Sequence, residues 1–398
     1  MSFTFPPQIE IATYAILISF LSLFIWLYLF LGRGGFWLSN QRLPSPEPLS
    51  HHYPSVVAVI PARNERETIV ACLQSLLAQN YPNSFHIILV DDHSTDGTRE
   101  AAESLKNTPE GKRLHIIPAR SLPMGWTGKM WAVSEGIRHS LSIAPGNRYY
   151  LLTDADISHA PQVLQTLVHK AERDNIDLVS LMAMLNHRGF WAQLLIPAFI
   201  FFFQKLYPFS WVNCPKLKTA AAAGGCILVR RSALDAAGGI SQIHDALIDD
   251  CALANAIKSR PGTIHLALTK DVHSLRPYES LQNIWSMVAR TAFTQLRHST
   301  PLLILTLIGM FFTYLAAPLT LLTWPLHNSL LAAKLAGAAW FMMTVAFLPT
   351  LRLYRLSFGL AFLLPLAGAL YGAMTFDSAL QHWFGRGGAW KGRTHSPM

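Results

Sequence analysis

A mostly parallel α/β sheet with transmembrane helices at both ends is the fold class this sequence predicts. Three observations carry it. Short apolar, β-branched runs alternate with helical patterns between residues 55 and 153. Four long apolar runs, at 11–31, 301–324, 329–349 and 356–376, flank that region, and each reaches the roughly 20 residues a membrane-spanning helix needs. Polar and acidic clusters follow directly on the predicted strands, the place where open α/β sheets bind ligands.

The strands come first. Val56-Val57-Ala58-Val59-Ile60 is a continuous apolar run, as expected of a strand buried on both faces. His86-Ile87-Ile88-Leu89-Val90 is a second, Leu114-His115-Ile116-Ile117 a third, and Tyr149-Tyr150-Leu151-Leu152-Thr153 a fourth. Residues 67–79 have helical spacing, with Ile69, Leu73, Leu76 and Leu77 on one side. Residues 95–106 read as another helix. Strands alternating with helices imply parallel pairing through right-handed crossovers.

The apolar runs define the ends. The first lacks Lys and Arg upstream and is longer than a signal core of roughly 7–15 residues, so it reads as a permanent anchor. Arg33 and Arg42 follow it, and the positive-inside bias then places residue 33 onward in the cytoplasm, at the inner membrane. Three C-terminal runs would put the tail outside, yet the tail holds Arg386, Lys391 and Arg393. One of the three is therefore re-entrant or interfacial, and Lys334 throws suspicion on the middle one, although a lysine near a helix end can snorkel. Residues 190–203 are apolar and aromatic but too short to span; they suit either a core helix or an interfacial one. The predicted domains are an anchor at 1–32, a Pro-rich linker at 33–54 with Pro44, Pro46, Pro48 and Pro54, a catalytic domain at 55–299, apolar helices at 300–376 and a basic tail at 377–398.

The net charge of +9 suits a membrane surface or a pyrophosphate as well as nucleic acid. No zinc-finger spacing and no basic stretch with interleaved aromatics is present, so no nucleic-acid partner is expected. Cys72, Cys214, Cys226 and Cys251 are far apart and form no C-x-x-C, which leaves reduced, inert thiols.

The chemistry is expected at the strand ends. After the first strand come Pro61, Ala62, Arg63, Asn64 and Glu65; after the second, Asp91, Asp92 and residues 93–98; after the fourth, Asp154, Ala155 and Asp156. Like charges gathered on one rim need a cation or a donor-rich ligand. In an extended segment Asp154 and Asp156 point the same way. They suit Mg²⁺ or Mn²⁺ shared with diphosphate oxygens, and the competing reading is a helix cap before Pro161, with Ser158 in the same role. Asp91-Asp92 look placed to receive a nucleoside's hydrogen bonds, while Asp96-Gly97 reads as a turn and Ser94 as the cap of the next helix. Lys129, in Gly125-Trp126-Thr127-Gly128-Lys129, is a candidate phosphate contact, although the loop lacks a P-loop pattern. Gly224-Gly225 suits either a close ligand approach or a tight turn. Asp249-Asp250 opens a helix, where carboxylates are ordinary.

Taken in order, V-A-V-I-P-A-R-N-E, V-D-D-H-S-T-D-G-T, T-D-A-D and I-D-D resemble the family 2 inverting glycosyltransferases with a GT-A fold, over about residues 55–298. G-W-T-G-K-M-W-A, V-A-R-T-A-F-T-Q-L and the helix layout are similar to the hopanoid-biosynthesis-associated subfamily of the HpnB type. The resemblance implies a nucleotide-sugar donor, by default a UDP-sugar, and a lipid acceptor of hopanoid type at the bilayer. It implies that Pro61, Ala62, Arg63, Glu65 and Asp92 bind the nucleotide, that Asp154 and Asp156 hold metal and diphosphate with Asp156 the direct ligand, and that Asp250 is the general base. Processive members carry Q-x-x-R-W where this chain has Met287, Arg290 and Thr291. Arg290 stands either as a diphosphate contact or as a plain interface arginine, and the missing Trp favours transfer of one sugar over a processive polysaccharide synthase. An inactive membrane scaffold is the other alternative, disfavoured because Asp154, Asp156 and Asp250 are all present. No G-x-G-x-x-G follows the first strand, so a nicotinamide enzyme is weaker still.

Overall fold

Eight strands form one sheet in a computed structural model that describes residues 7–44 and 53–385. They are β1 (Val56–Ala62), β2 (Phe85–Asp91), β3 (Leu114–Pro118), β4 (Tyr149–Leu152), β5 (Ile157–His159), β6 (Leu178–Met184), β7 (Ile227–Arg230) and β8 (Ile264–Ser274). Their order is β3-β2-β1-β4-β7-β6-β8-β5. The pairs β1–β2, β1–β4, β2–β3 and β6–β8 are parallel; β7 is antiparallel to both β4 and β6, and β5 to β8. The four predicted strands each lie within one residue or two of an observed one. Every residue of β1 is buried, as its unbroken apolar run requires.

The chain divides into two compact units. The α/β unit takes residues 40–186 and 209–277 of the described chain and contains the whole sheet. Its core joins β1 and β2 to the Arg66–Leu77 and Val163–Arg173 helices. The Gly128–Ile143 helix packs across β1 and β2, and it approaches so closely because residue 136 has no side chain. A Cβ there would overlap Val59 Cγ1 and stand 3.0 Å from Val90 Cγ2. Gly136→Ala is therefore expected to destabilise the unit by about 1–3 kcal/mol, the usual cost of overpacking a core; a denaturant midpoint equal to wild type would contradict this packing. Cys72 and Cys226 are buried free thiols, and burial pushes both well above the usual thiol range, so neither is a ready nucleophile.

The helical unit comprises the remaining described residues to 385. Four of its helices are long and apolar enough to cross a membrane: Glu10–Gly32, Thr300–Leu322, Leu330–Tyr354 and Phe358–Trp383. The Phe190–Leu206 helix also belongs here, with Ala192, Leu195, Ala198 and Phe201 buried. Its Phe201 meets Phe347 and its Phe202 meets Tyr371, so this segment is in large part a packed core element. Residues 278–299, within the stretch expected to be catalytic, fall in this unit too. The tail residues Arg386, Lys391 and Arg393 and the linker residues Pro46 and Pro48 lie outside the described residues.

Candidate active site

Parallel pairing in register delivers the polar clusters to one rim. Ala62 of β1 pairs with Asp91 of β2, and Val59 with Leu152 of β4, so residues 61–65, 91–98 and 153–156 leave the sheet at the same edge. β7 runs the other way, and Ile227 pairs with Leu152. That brings Gly224 and Gly225 alongside, where Thr153 Oγ1 donates to Gly225 O at 2.7 Å.

Lys129 sits in the second residue of its helix, whose first turn is capped by Thr127 Oγ1 accepting from Met130 N at 3.2 Å. Its ammonium lies 2.8 Å from Asp154 Oδ1 and 3.0 Å from Asp249 Oδ2. Burial opposes that charge, but Asp154 and Asp249 outweigh it and hold the lysine above its ordinary range. Beside it lies Asp250. Its Oδ2 accepts from Gly224 N at 2.8 Å and its Oδ1 from Cys251 N at 2.7 Å. Burial and then the neighbouring Asp249 push the Asp250 carboxyl up to about 6, with Lys129 and the two backbone N–H groups working against them. Lys129, Asp154, Gly224, Asp249 and Asp250 line one cleft, together with Pro61 and the apolar side chains of Leu152, Ile240, Ile243 and Leu253. A Cβ on Gly224 would stand 3.5 Å from Asp250 Oδ2 and 3.6 Å from Lys129 Nζ, so a bulkier residue would crowd the two charged groups.

Asp156 faces a different cation. Arg276 Nε donates to its Oδ2 at 2.9 Å, and Arg276 Nη2 lies 3.3 Å from Glu65 Oε1. Burial and then the charge of Asp154 raise the Asp156 carboxyl, while Arg276 opposes them. Arg63 reaches across the rim, donating to the Asp92 carbonyl at 2.6 Å with its guanidinium 3.8 Å from Asp92 Oδ2. Asp92 is buried, and its N–H donates to Ala62 O at 2.8 Å. Among the described residues no three His, Cys, Asp or Glu side chains are grouped as a metal cage.

Two expectations are corrected. Ser94 is not a helix cap: its hydroxyl accepts from Asn64 N at 3.0 Å, and Asp96 Oδ1 takes Thr98 N at 3.0 Å at the start of the next helix. Ser158 cannot cap either, because it lies within β5, paired with His273 of β8. Arg290 stands in the helical unit, exposed at the end of the Leu281–Ala289 helix. Arg276 was not foreseen. Only the antiparallel pairing of Ile157 with Ser274 brings it beside Asp156, and no local pattern announces a pairing across that sequence distance.

Residues 57–238 match the model of the Glycosyl transferase family 2. Glycosyltransferase AglE of Haloferax volcanii is 29% identical over 127 residues, 32% of this chain and 38% of the relative. The undecaprenyl-phosphate 4-deoxy-4-formamido-L-arabinose transferase of Yersinia pestis is 30% identical over 119 residues, 29% of this chain and 33% of the relative. The chain thus matches well under two thirds of either relative's length. A mannosyltransferase of Pyrobaculum calidifontis, solved with GDP-Man and Mn²⁺, superposes with a TM-score of 0.55 at 19% identity, over 95% of this chain and 99% of that one, which shows a shared fold. The family match ends before Asp249 and Asp250, so those two rest on the geometry above. Strand order and rim agree with these likenesses: the chain has a GT-A-like α/β fold with long apolar helices, and its residues 57–238 are similar to the family 2 glycosyltransferases.

Proposed function

We propose that the protein transfers one sugar, with inversion, from a nucleotide-diphosphate sugar to a hydroxyl of a membrane lipid, on the cytoplasmic side of the inner membrane. The observation that carries this reading is the cleft in which Asp250 faces Lys129 and Asp154. A carboxylate raised to about 6 is still ionised at neutral pH and is a stronger base than an ordinary aspartate. Its two backbone hydrogen bonds fix its orientation, so the proton of an acceptor hydroxyl is taken at a positioned oxygen.

The nucleotide is assigned to Pro61, Ala62, Arg63, Glu65 and Asp92, with Lys129 and Asp154 next to its phosphates. Asp154 and Asp156 are hard oxygen donors, and the charge of Asp154 helps to raise the Asp156 carboxyl, which fits Mg²⁺ or Mn²⁺ completed by diphosphate oxygens and water. Such a cation, when bound, offsets charge on the departing diphosphate. Arg290 is kept as a diphosphate contact by resemblance alone. UDP as carrier and a hopanoid-like acceptor likewise rest on the resemblance. A lipid acceptor is further supported by the four apolar helices and by the polyprenyl-phosphate named in the Yersinia relative.

The test is nucleotide release by detergent-purified protein with Mg²⁺ or Mn²⁺ and a panel of nucleotide sugars. Hopanoid polyol and polyprenyl phosphate are supplied in separate reactions. Release that needs both metal and one of the lipids is expected. A folded protein that releases nucleotide with no donor and lipid combination would remove the reading.

A further inference from the structure

Three apolar helices follow residue 299, and as three spans they would carry the chain end across the membrane from Arg33. Contacts inside the helical unit say otherwise. The Thr300–Leu322 and Leu330–Tyr354 helices are joined by the short connection 323–329, and Ala316–Leu322 packs on the longer helix. This is a hairpin, so residues 300 and 354 lie at the same end. Ser39, just past the first apolar helix, meets Thr350 at 3.2 Å, which marks that end as the Arg33 end.

The last apolar helix, Phe358–Trp383, starts at this end, directly after Tyr354. It also finishes there. His382 stacks on His298 with ring centroids 4.1 Å apart, and Trp383 meets Phe293 edge-on at 5.8 Å. Ser378 Oγ accepts from Phe293 N at 3.0 Å, and Trp285 Nε1 donates to Asp377 at 2.7 Å. Residues 285–298 immediately precede the Thr300–Leu322 helix.

Between its ends the segment dips. Phe362 lies 6.5 Å from Trp340, which is about 21 Å along its helix from Tyr354 at 1.5 Å per residue. Gly368 packs so tightly on Tyr314 that a Cβ would stand 2.7 Å from Tyr314 Cβ; Tyr314 too is about 21 Å from the start of its helix. A hydrocarbon core is about 30 Å thick, so the chain turns before crossing it. The turn is visible in the backbone. A 3-10 helix at Phe358–Leu363 gives way to the α-helix Leu364–Trp383 at Leu363, with φ −90° and ψ 2°. Pro365 occupies the first turn of the new helix, where its missing N–H costs nothing. Irregular backbone at membrane depth must be covered by protein, and Ala361 and Leu364 are fully buried. Phe358, Phe362, Leu366 and Phe376 are exposed on the other side of the segment.

We infer that residues 358–383 are a re-entrant segment that enters and leaves the bilayer on the Arg33 side, its exposed face set against the acyl chains of that leaflet. The membrane is then crossed three times. Arg33, Arg297, Arg352 and Arg355 gather at one end of the unit, while residues 323–329 at the other carry no charge, so the positive-inside bias makes the arginine end cytoplasmic. The suspicion raised by Lys334 moves from the third run to the fourth, and Lys334 is exposed near the start of a full span.

Sidedness tests this without reference to activity. Leu326→Cys and Phe384→Cys are made singly in the full-length chain, both at well-exposed positions, and treated with a membrane-impermeant maleimide beside the unaltered chain. Leu326→Cys is expected to label in intact cells, and Phe384→Cys only after permeabilisation. Labelling of Phe384→Cys in intact cells, or of both from one side, overturns the re-entrant reading. A green fluorescent protein fused after Met398 is expected to fluoresce; a dark fusion, with alkaline phosphatase active at the same point, overturns it equally.

Discussion

Asp250→Asn is expected to lower kcat by about 10²–10⁴-fold, the usual contribution of a positioned general base. An amide of the same shape leaves the Asp249–Lys129 pair in place, so the donor KM is expected to change little and the fold to survive. The pH profile makes the role specific. The Asp250 carboxyl is raised to about 6, so its neutral form prevails below that value and cannot accept a proton. Wild-type kcat is therefore expected to fall roughly tenfold per pH unit below about pH 6, and to level off above it. The residual activity of Asp250→Asn should lack this acid limb. Full activity in the variant, or an acid limb unchanged in it, would remove Asp250 from the base role and leave the family likeness of residues 57–238 untouched.

Asp156→Ala is the second large effect. It removes one of the two carboxylates assigned to the cation and takes away the ion pair of Asp156 with Arg276. The expected loss in kcat/KM is on the order of 10³-fold, because metal stabilisation of a leaving diphosphate accounts for several kcal/mol. The sharper readout is linkage. Donor binding to wild type, followed calorimetrically, should tighten as Mn²⁺ is added, whereas binding to Asp156→Ala should not respond. Equal Mn²⁺ dependence in both proteins would move the metal away from this carboxylate.

Much of this site was legible in residue order, because parallel strands in register turn sequence position into spatial position. Pro61 to Glu65, Asp91 to Asp92 and Asp154 to Asp156 all lie at or just past the carboxyl ends of strands of one parallel set, so their convergence needed only the rule for strand ends. The apolar helices were legible from length and composition. What resisted were features made by long-range or antiparallel pairing. Arg276 reaches Asp156 through the short β5–β8 ladder, and Gly224 reaches Asp250 because β7 is reversed against β4. Side-chain hydroxyls were also misread: Ser94 and Ser158 suit helix caps by type, but a loop partner and a strand pairing claim them. The fourth apolar run has the composition of a span, and the re-entrant path we infer for it rests on side-chain contacts that residue order does not announce, such as His382 on His298 and Phe362 near Trp340.

The most direct test of the central claim follows the sugar itself. Purified full-length protein is incubated with a labelled nucleotide sugar, divalent metal and total membrane lipid, and label in the lipid phase is isolated and its anomeric configuration determined. The account predicts one sugar per lipid, with the anomeric configuration opposite to that of the donor, and no transfer by Asp250→Asn. Label that stays in water-soluble sugar, or a lipid product that retains the donor's configuration, would contradict it.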